Sequence, residues 1–258
     1  MDYQLVAIDM DGTLLNSHSK ISAKNLQALK DTLKKGIKVV LCSARPFNGL
    51  IDYAKQIGLS GKDQYLIYLG GNIIQNYAGE VIYSKKLRNE DCEKISDFLS
   101  ERKVKFSLID NEGTLYDGYQ DWIEKYMLDT KLGVVKVLLK TRKHKLAELK
   151  KLAHATYDDK FYVVQTSDTE MQLMAKDVNK GTALEHLVKH LGLNLSQVMA
   201  IGDMDNDLPM LKIAGLSVAM GNATSEVKAV ASQTVPDNDH DGVAIALEQN
   251  IIPATDSI

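Results

Sequence analysis

Short apolar runs alternate with amphipathic stretches along the first third of the chain. Residues 5–8, Leu-Val-Ala-Ile, form a continuous apolar run, the pattern of a strand buried on both faces of a parallel sheet. Ser22 can cap a helix that carries Leu26, Leu29 and Leu33 on one face, with Gly36 at its end. Residues 37–42 are apolar apart from Lys38, a helical stretch over residues 50–57 stops at Gly58, and residues 65–69 form a third run closed by Gly70 and Gly71. Strand, helix, strand, helix, strand in this order predicts a parallel sheet with right-handed crossovers. Residues 73–83, turning near Ala78 and Gly79, predict a hairpin.

The pattern then changes. Between residues 87 and 177 it predicts a helix (91–102), two strands (104–109 and 114–116) and a short helix near Trp122. A strand (134–139), a helix (144–155) and two further strands (161–165 and 171–175) follow. This mixture predicts a separate α+β unit, and the polar stretches 84–88 and 176–179 suit hinges. The α/β order returns with a helix (182–191), a strand (198–201), a helix carrying Leu208, Leu211 and Ile213, a strand (216–220) and helices near 225–231 and 243–249. The expected organisation is a discontinuous core domain, residues 1–83 and 179–258, with an α+β domain inserted at residues 84–178.

Composition changes this picture little. The 258 residues are 45% hydrophobic and 25% charged, ordinary for a globular protein. A formal net charge of -3 offers no argument for nucleic acid or for an anionic membrane surface. Two cysteines, Cys42 and Cys92, are too few for a disulfide framework, and a cytoplasmic setting is expected. Neither a signal peptide nor a membrane-spanning apolar run is expected. The basic stretch 140–145 lacks interleaved aromatics and reads as a solvated face. His186 and His190 stand four apart on a helix without a third ligand nearby, and read as surface residues.

The candidate chemistry stands where strands end. Asp9-Met10-Asp11-Gly12-Thr13 follows the first run, Ser43-Ala44-Arg45-Pro46 the second, and Gly202-Asp203-Met204-Asp205-Asn206-Asp207 the strand at 198–201. Lys180 precedes a helix. Alone, the first stretch is equally a solvated turn, since Asp-Gly is a common turn pair. Together, acids from two strand ends can share a hard divalent cation. A hydroxyl and an ammonium beside them suit phosphoryl oxygens. One carboxylate can attack phosphorus while another moves protons.

These stretches resemble, in order, the four motifs of the haloacid dehalogenase superfamily. Asp9-Met10-Asp11-Gly12-Thr13 is similar to its DxDGT motif, Ser43-Ala44-Arg45-Pro46 to its second and Asn179-Lys180-Gly181 to its third. The loop at 202–207 is similar to GDxxND, and residues 219–223 and 241–243 resemble the Cof-type phosphatases. The resemblance implies a Rossmann-like parallel-sheet core with an inserted C2-type cap, and a Mg²⁺-dependent phosphatase acting on a small phosphorylated metabolite such as a sugar phosphate. It implies Asp9 as nucleophile and Asp11 as acid and base. It implies Mg²⁺ on Asp9, the backbone carbonyl of Asp11 and Asp203, with Asp207 in outer or water-mediated contact. Ser43, Lys180, Asn206 and the backbone N–H groups of Met10 and Ala44 would hold the phosphoryl oxygens.

Two departures stand out: Ala44 where the family has glycine, and Gly70-Gly71-Asn72 where it commonly has Asn-Gly-Ala. The family's asparagine amide is then either lost or moved to Asn72. Asp205 is expected to be exposed and of minor role, and Trp122 to be cap core. Tyr116 to Tyr126 are candidates for substrate contact. A phosphomutase is the alternative enzyme reading, and a binding protein on an inactive scaffold ranks below it because Asp9, Asp11, Lys180 and Asp203 are all present. An ion-pumping ATPase is excluded by the missing membrane spans.

Overall fold

The structure, a computed structural model, describes residues 3–157 and 159–252. The chain opens with β1 (Leu5–Asp9), α1 (Ala23–Lys34), β2 (Lys38–Cys42), α2 (Ile51–Ile57), β3 (Tyr65–Tyr68), and the antiparallel strands β4 (Ile73–Asn76) and β5 (Val81–Ser84). A second unit carries α3 (Asn89–Glu101), β6 (Phe106–Asp110), β7 (Leu115–Tyr116), α4 (Tyr119–Leu128), β8 (Val134–Lys140), α5 (Lys143–Tyr157), β9 (Phe161–Ser167) and β10 (Glu170–Ala175). The chain then returns through α6 (Lys180–His190), β11 (Val198–Gly202), α7 (Leu208–Ile213), β12 (Leu216–Ala219), α8 (Ser225–Val230), β13 (Gln233–Thr234) and α9 (Gly242–Asn250).

The larger sheet has the order β13-β12-β11-β1-β2-β3-β4-β5, and its pairs from β13 to β3 are parallel. Helices cover both faces, which is why its central strands β1, β2, β3 and β11 read as largely apolar runs. Val6 and Ile8 of β1 pack with α1, α2 and α9 on one side, and Leu5 and Ala7 with α6 and α7 on the other. Of these, the larger side chains, Leu5, Val6 and Ile8, each contribute about 1.5–3 kcal/mol. β1 lies between β11 and β2, with Ile8 level with Ile201 and Asp9 level with Cys42. The loops after these three strands therefore share one sheet edge, the place where open α/β sheets hold ligands.

The smaller sheet is antiparallel, in the order β7-β6-β8-β10-β9. Alternation along β8 divides its residues. Val137 and Leu139 pack with Ile95, Leu99, Trp122 and Leu146 under the helices, while Lys136, Leu138 and Lys140 line a cavity against the core. This unit caps the sheet edge directly: the Lys136 Nζ donates to the Ala44 carbonyl at 2.7 Å, and the Lys150 Nζ to Asp205 Oδ2 at 3.1 Å.

Trp122 is fully buried in the cap core, as its apolar surroundings predict. Tyr116 to Tyr126 do not line the cavity. Tyr116 packs edge-on against Trp122 and donates to Asp110 at 2.7 Å, and Tyr126 also lies against Trp122, all on the helix-covered face of the cap sheet. Their candidacy for substrate contact is withdrawn on that ground. His186 and His190 are exposed, the first stacked on Tyr83 and the second hydrogen-bonded to the Tyr65 hydroxyl. β13 escaped the sequence pattern because two polar residues carry no periodicity. Among the described residues no helix is long and apolar enough to cross a membrane.

Candidate active site

Asp9 closes β1, and the chain then folds sharply back, with the Leu14 N–H on the Asp9 carbonyl at 3.2 Å and the Leu15 N–H on the Met10 carbonyl at 2.8 Å. Gly12 holds the turn at φ +83°, and a Cβ there would stand 2.4 Å from Asp203 Oδ2, so only glycine admits the close approach of the two loops. Thr13 donates its hydroxyl to Asp203 Oδ1 at 2.6 Å. From the end of β12, Asn222 donates to the Gly12 carbonyl at 2.8 Å and reaches Asp203 Oδ2 at 3.5 Å. Thr13 and Asn222 thus orient Asp203. The sequence motifs contained both residues without indicating that task.

Lys180 is the first residue of α6. Asn179 caps that helix by accepting from the Thr182 N–H at 2.9 Å, and the Thr182 hydroxyl accepts from the Asn179 N–H at 3.1 Å. The preceding turn is docked on the same spot. Gly71 has φ +103°, and a Cβ on it would meet the Asn179 carbonyl at 2.4 Å. The glycine pair after β3 therefore lets that turn pack directly on the backbone that presents Lys180. Asn72 does not take over a place at the cavity: its amide donates to the Leu69 carbonyl at 2.5 Å and lies against Met174 of the cap.

The Lys180 ammonium is buried and bonds both Asp9 Oδ1 and, at 2.6 Å, Asp207 Oδ1. Asp207 uses its other oxygen to accept the backbone N–H groups of Asp203 and Met204 at 2.9 and 3.0 Å. Oxygens of Asp9, Asp203 and Asp207 all lie within 4.8 Å of one another. Burial, then repulsion from Asp207, holds the Asp9 carboxyl well above the usual carboxylate range, and the same two causes push Asp203 up to about 7. Burial works to lower Lys180, but Asp207 and Asp9 overcome it and hold it above an ordinary lysine. Three buried carboxylates face one ammonium. Such an all-oxygen cluster fits a hard divalent cation, which relieves the repulsion that raises Asp9 and Asp203.

The side chain of Asp11 is not in this cluster. It is half exposed and gripped by Arg45, Nε to Oδ2 at 2.8 Å and Nη2 to Oδ1 at 2.6 Å. Asp9, Asp11, Ala44 and Asn206 line a cavity of about 420 Å³ whose roof is the cap. Ser43 is buried behind it, its Oγ accepting from the Arg45 N–H at 3.1 Å, and Met10 is buried with its side chain in the core. Asp205 corrects an expectation: it is half-buried and ion-paired with Lys150 of the cap. Arg45 and Lys136 are among the cavity residues that went unread in the sequence. Arg45 lay inside a motif without an assigned partner, and Lys136 was a lone lysine in the apolar run Val134-Val135-Lys136-Val137-Leu138-Leu139.

Comparison with known proteins identifies a family. The haloacid dehalogenase-like hydrolase family matches residues 6–247. The 5-amino-6-(5-phospho-D-ribitylamino)uracil phosphatase YcsE of Bacillus subtilis is 31% identical over 260 residues, covering 98% of this chain and 97% of that protein. A haloacid dehalogenase-like hydrolase from Bacteroides thetaiotaomicron superposes with a TM-score of 0.79 at 28% identity, over 96% of this chain and 99% of the other. A third, from B. subtilis, shares the fold with a TM-score of 0.85 at 24% identity, over 96% of this chain and 100% of the other. With its motifs, sheet order and acidic cluster in these positions, the chain belongs to the haloacid dehalogenase-like hydrolases.

Proposed function

We propose that the protein is a Mg²⁺-dependent phosphatase that hydrolyses a small phosphorylated metabolite, foremost a sugar phosphate, through an aspartyl-phosphate intermediate. The observation that carries the reading is the buried contact of Lys180 with Asp9 and Asp207, at the edge where Asp203 joins them. Asp9 attacks phosphorus: its Oδ–P bond forms as the bond from phosphorus to the leaving oxygen breaks. Lys180 opposes the burial and carboxylate repulsion that raise Asp9, as a bound cation also would, and offsets the charge of the incoming phosphate. Asp11, turned away from Arg45 and protonated, gives its proton to the leaving oxygen. It then takes a proton from the water whose oxygen displaces Asp9 and releases inorganic phosphate.

Ser43, Asn206 and the backbone N–H groups of Met10 and Ala44 hold the phosphoryl oxygens in this reading. Asp9, the Asp11 carbonyl and Asp203 would hold Mg²⁺, with Asp207 behind them. The bound ion supplies positive charge against the phosphoryl oxygens. The name of YcsE, whose substrate is a phospho-D-ribityl compound, supports a phosphorylated polyol or sugar as the substrate class. Both cysteines are free and buried, which supports a reduced, cytoplasmic place of action. Hydrolysis of p-nitrophenyl phosphate with and without Mg²⁺ tests the reading. Turnover that needs Mg²⁺ is expected, and no turnover, or turnover indifferent to divalent ions, overturns it.

A further inference from the structure

We propose that Lys136 is the residue by which the cap selects its substrate, and that the selected feature is a second oxyanion on the part of the substrate that leaves. This rests on the phosphatase reading and names a substrate class within it. The second oxyanion is a carboxylate or a further phosphate.

Lys136 sits in the middle of β8, between Val135 and Val137, and is 3% exposed. A lysine so placed is costly unless a partner meets its charge. No carboxylate among the described residues lies within ion-pair reach of it. Its neighbours are neutral oxygens, the Ala44 carbonyl at 2.7 Å and Gln172 Oε1 at 3.3 Å. Glu170 acts on it only from a distance and is itself paired with Lys140 at 2.7 Å. An ammonium has three N–H donors, so two acceptors leave one donor for the cavity that Lys136 lines with Asp9 and Asp11. Burial pushes the amine down to about 7, as befits a cation without a counter-charge.

Position decides which part of a substrate it meets. The transferring phosphoryl group is served from the floor by Lys180. Lys136 descends from the roof beside Ala44, on the side where the leaving part must lie. Neutral hydroxyls there would leave the ammonium uncompensated, whereas an oxyanion makes a charge-assisted hydrogen bond with it. Gln172 and Thr166 extend the polar roof next to it, while Leu138 and Ile109 make its apolar part.

The test compares kcat/KM for two pairs of substrates with Mg²⁺ present. One pair is phosphoglycolate against glycerol phosphate, the other fructose bisphosphate against fructose monophosphate. Wild type is expected to favour the member with the second oxyanion in at least one pair, and which pair shows it names the anion. Lys136→Met removes the charge at similar volume, and Lys136→Gln also keeps a donor for the Ala44 carbonyl. Both are expected to lose about tenfold or more on the favoured substrate, the worth of a hydrogen bond to a charged group, and to spare its partner. Equal wild-type values within both pairs overturn the proposal even if neither variant folds. An equal loss on all four substrates also overturns it, because Lys136 then only latches the cap or serves the phosphoryl group. In these cases the phosphatase reading survives. If wild type hydrolyses no phosphate ester, p-nitrophenyl phosphate included, both fall.

Discussion

Arg45 holds Asp11 by two parallel hydrogen bonds, at 2.8 and 2.6 Å, on the rim of the cavity whose floor contains Asp9. The two acids of one short motif therefore face different cations. Asp9 is buried against Lys180, while Asp11 is half exposed against Arg45. Asp9 is fixed in place, as the proposed nucleophile must be. Asp11 has room to turn, because its partner is a side chain on the surface of the opposing loop.

That division predicts different consequences for two conservative substitutions. Asp9→Asn should abolish turnover of every substrate, since an amide is a poor nucleophile. Asp11→Asn should depend on the leaving group, with loss of about 10²–10⁴-fold for an alkyl phosphate, the usual worth of proton transfer. The loss should be much smaller for p-nitrophenyl phosphate, whose leaving oxygen needs no proton. Steady-state rates on the two substrates check this, and equal losses would remove Asp11 from the proton-transfer role.

Asp203 and Asp207 also separate. Asp203→Ala should raise the Mg²⁺ concentration needed for half-maximal activity, because it removes one carboxylate of the three-acid cluster. Asp207→Ala should act first on stability. Asp207 is fully buried and ties Lys180 to two backbone N–H groups, and breaking a buried pair costs about 3–5 kcal/mol. A metal titration and urea unfolding, run on both variants, check the two halves. A Mg²⁺ requirement unchanged in Asp203→Ala would count against the cluster as a metal site.

Much of this arrangement was legible in the chain because buried parallel strands announce themselves. The runs before Asp9, Ser43 and Asp203 are apolar apart from Lys38, and each ends in a polar loop. What stayed hidden depends on which way side chains turn after the strand ends. Nothing in Ala44-Arg45-Pro46 says that the guanidinium reaches back to Asp11. Tyr116 and Tyr126 were misread because neighbouring aromatics do not reveal which face of a sheet they occupy, and the helix-covered face took them beside Trp122. Lys136 had a readable signal, a single charge in an apolar strand. Its position resembles that of Lys38, whose amine instead reaches out to the Asp63 carbonyl.

Lys136 also has a signature in stability. Its folded-state value, about 7, lies below that of an unfolded lysine, about 10.4. Between these pH values the unfolded chain binds more protons than the folded one, so this group makes stability rise as pH increases from about 7 towards 10. Glu170 on β10 opposes the shift, and Lys140 on its own strand and Asp9, Asp11 and Arg45 from the core share the cavity. Their contributions cancel in the difference between wild type and Lys136→Met. That difference, from urea unfolding in chelator at several pH values, should move in favour of wild type across this window. A flat difference would mean that the amine is not buried.

The last prediction concerns the cap as a unit. We propose residues 84–178 as the segment that sets substrate choice, because the core loops supply the acidic cluster and Lys180 while the cavity roof is cap. Lys136, Lys140, Thr166 and Gln172 all come from cap strands. Among the described residues, the polar contacts that tie the cap to the core include Lys136 to Ala44 and Lys150 to Asp205. The second is a partly exposed pair, worth about 1 kcal/mol or less. Such a lid can lift about its two linkers to admit substrate and close to exclude water. Replacing the segment with that of another family member should therefore reorder the preferred substrates and leave the Mg²⁺ requirement where it was. A substrate panel and a metal titration on the folded chimera measure the two properties separately. A chimera that keeps the original ranking would transfer the task of selection to the core loops, with Arg45 and Asn206 the side chains left to perform it.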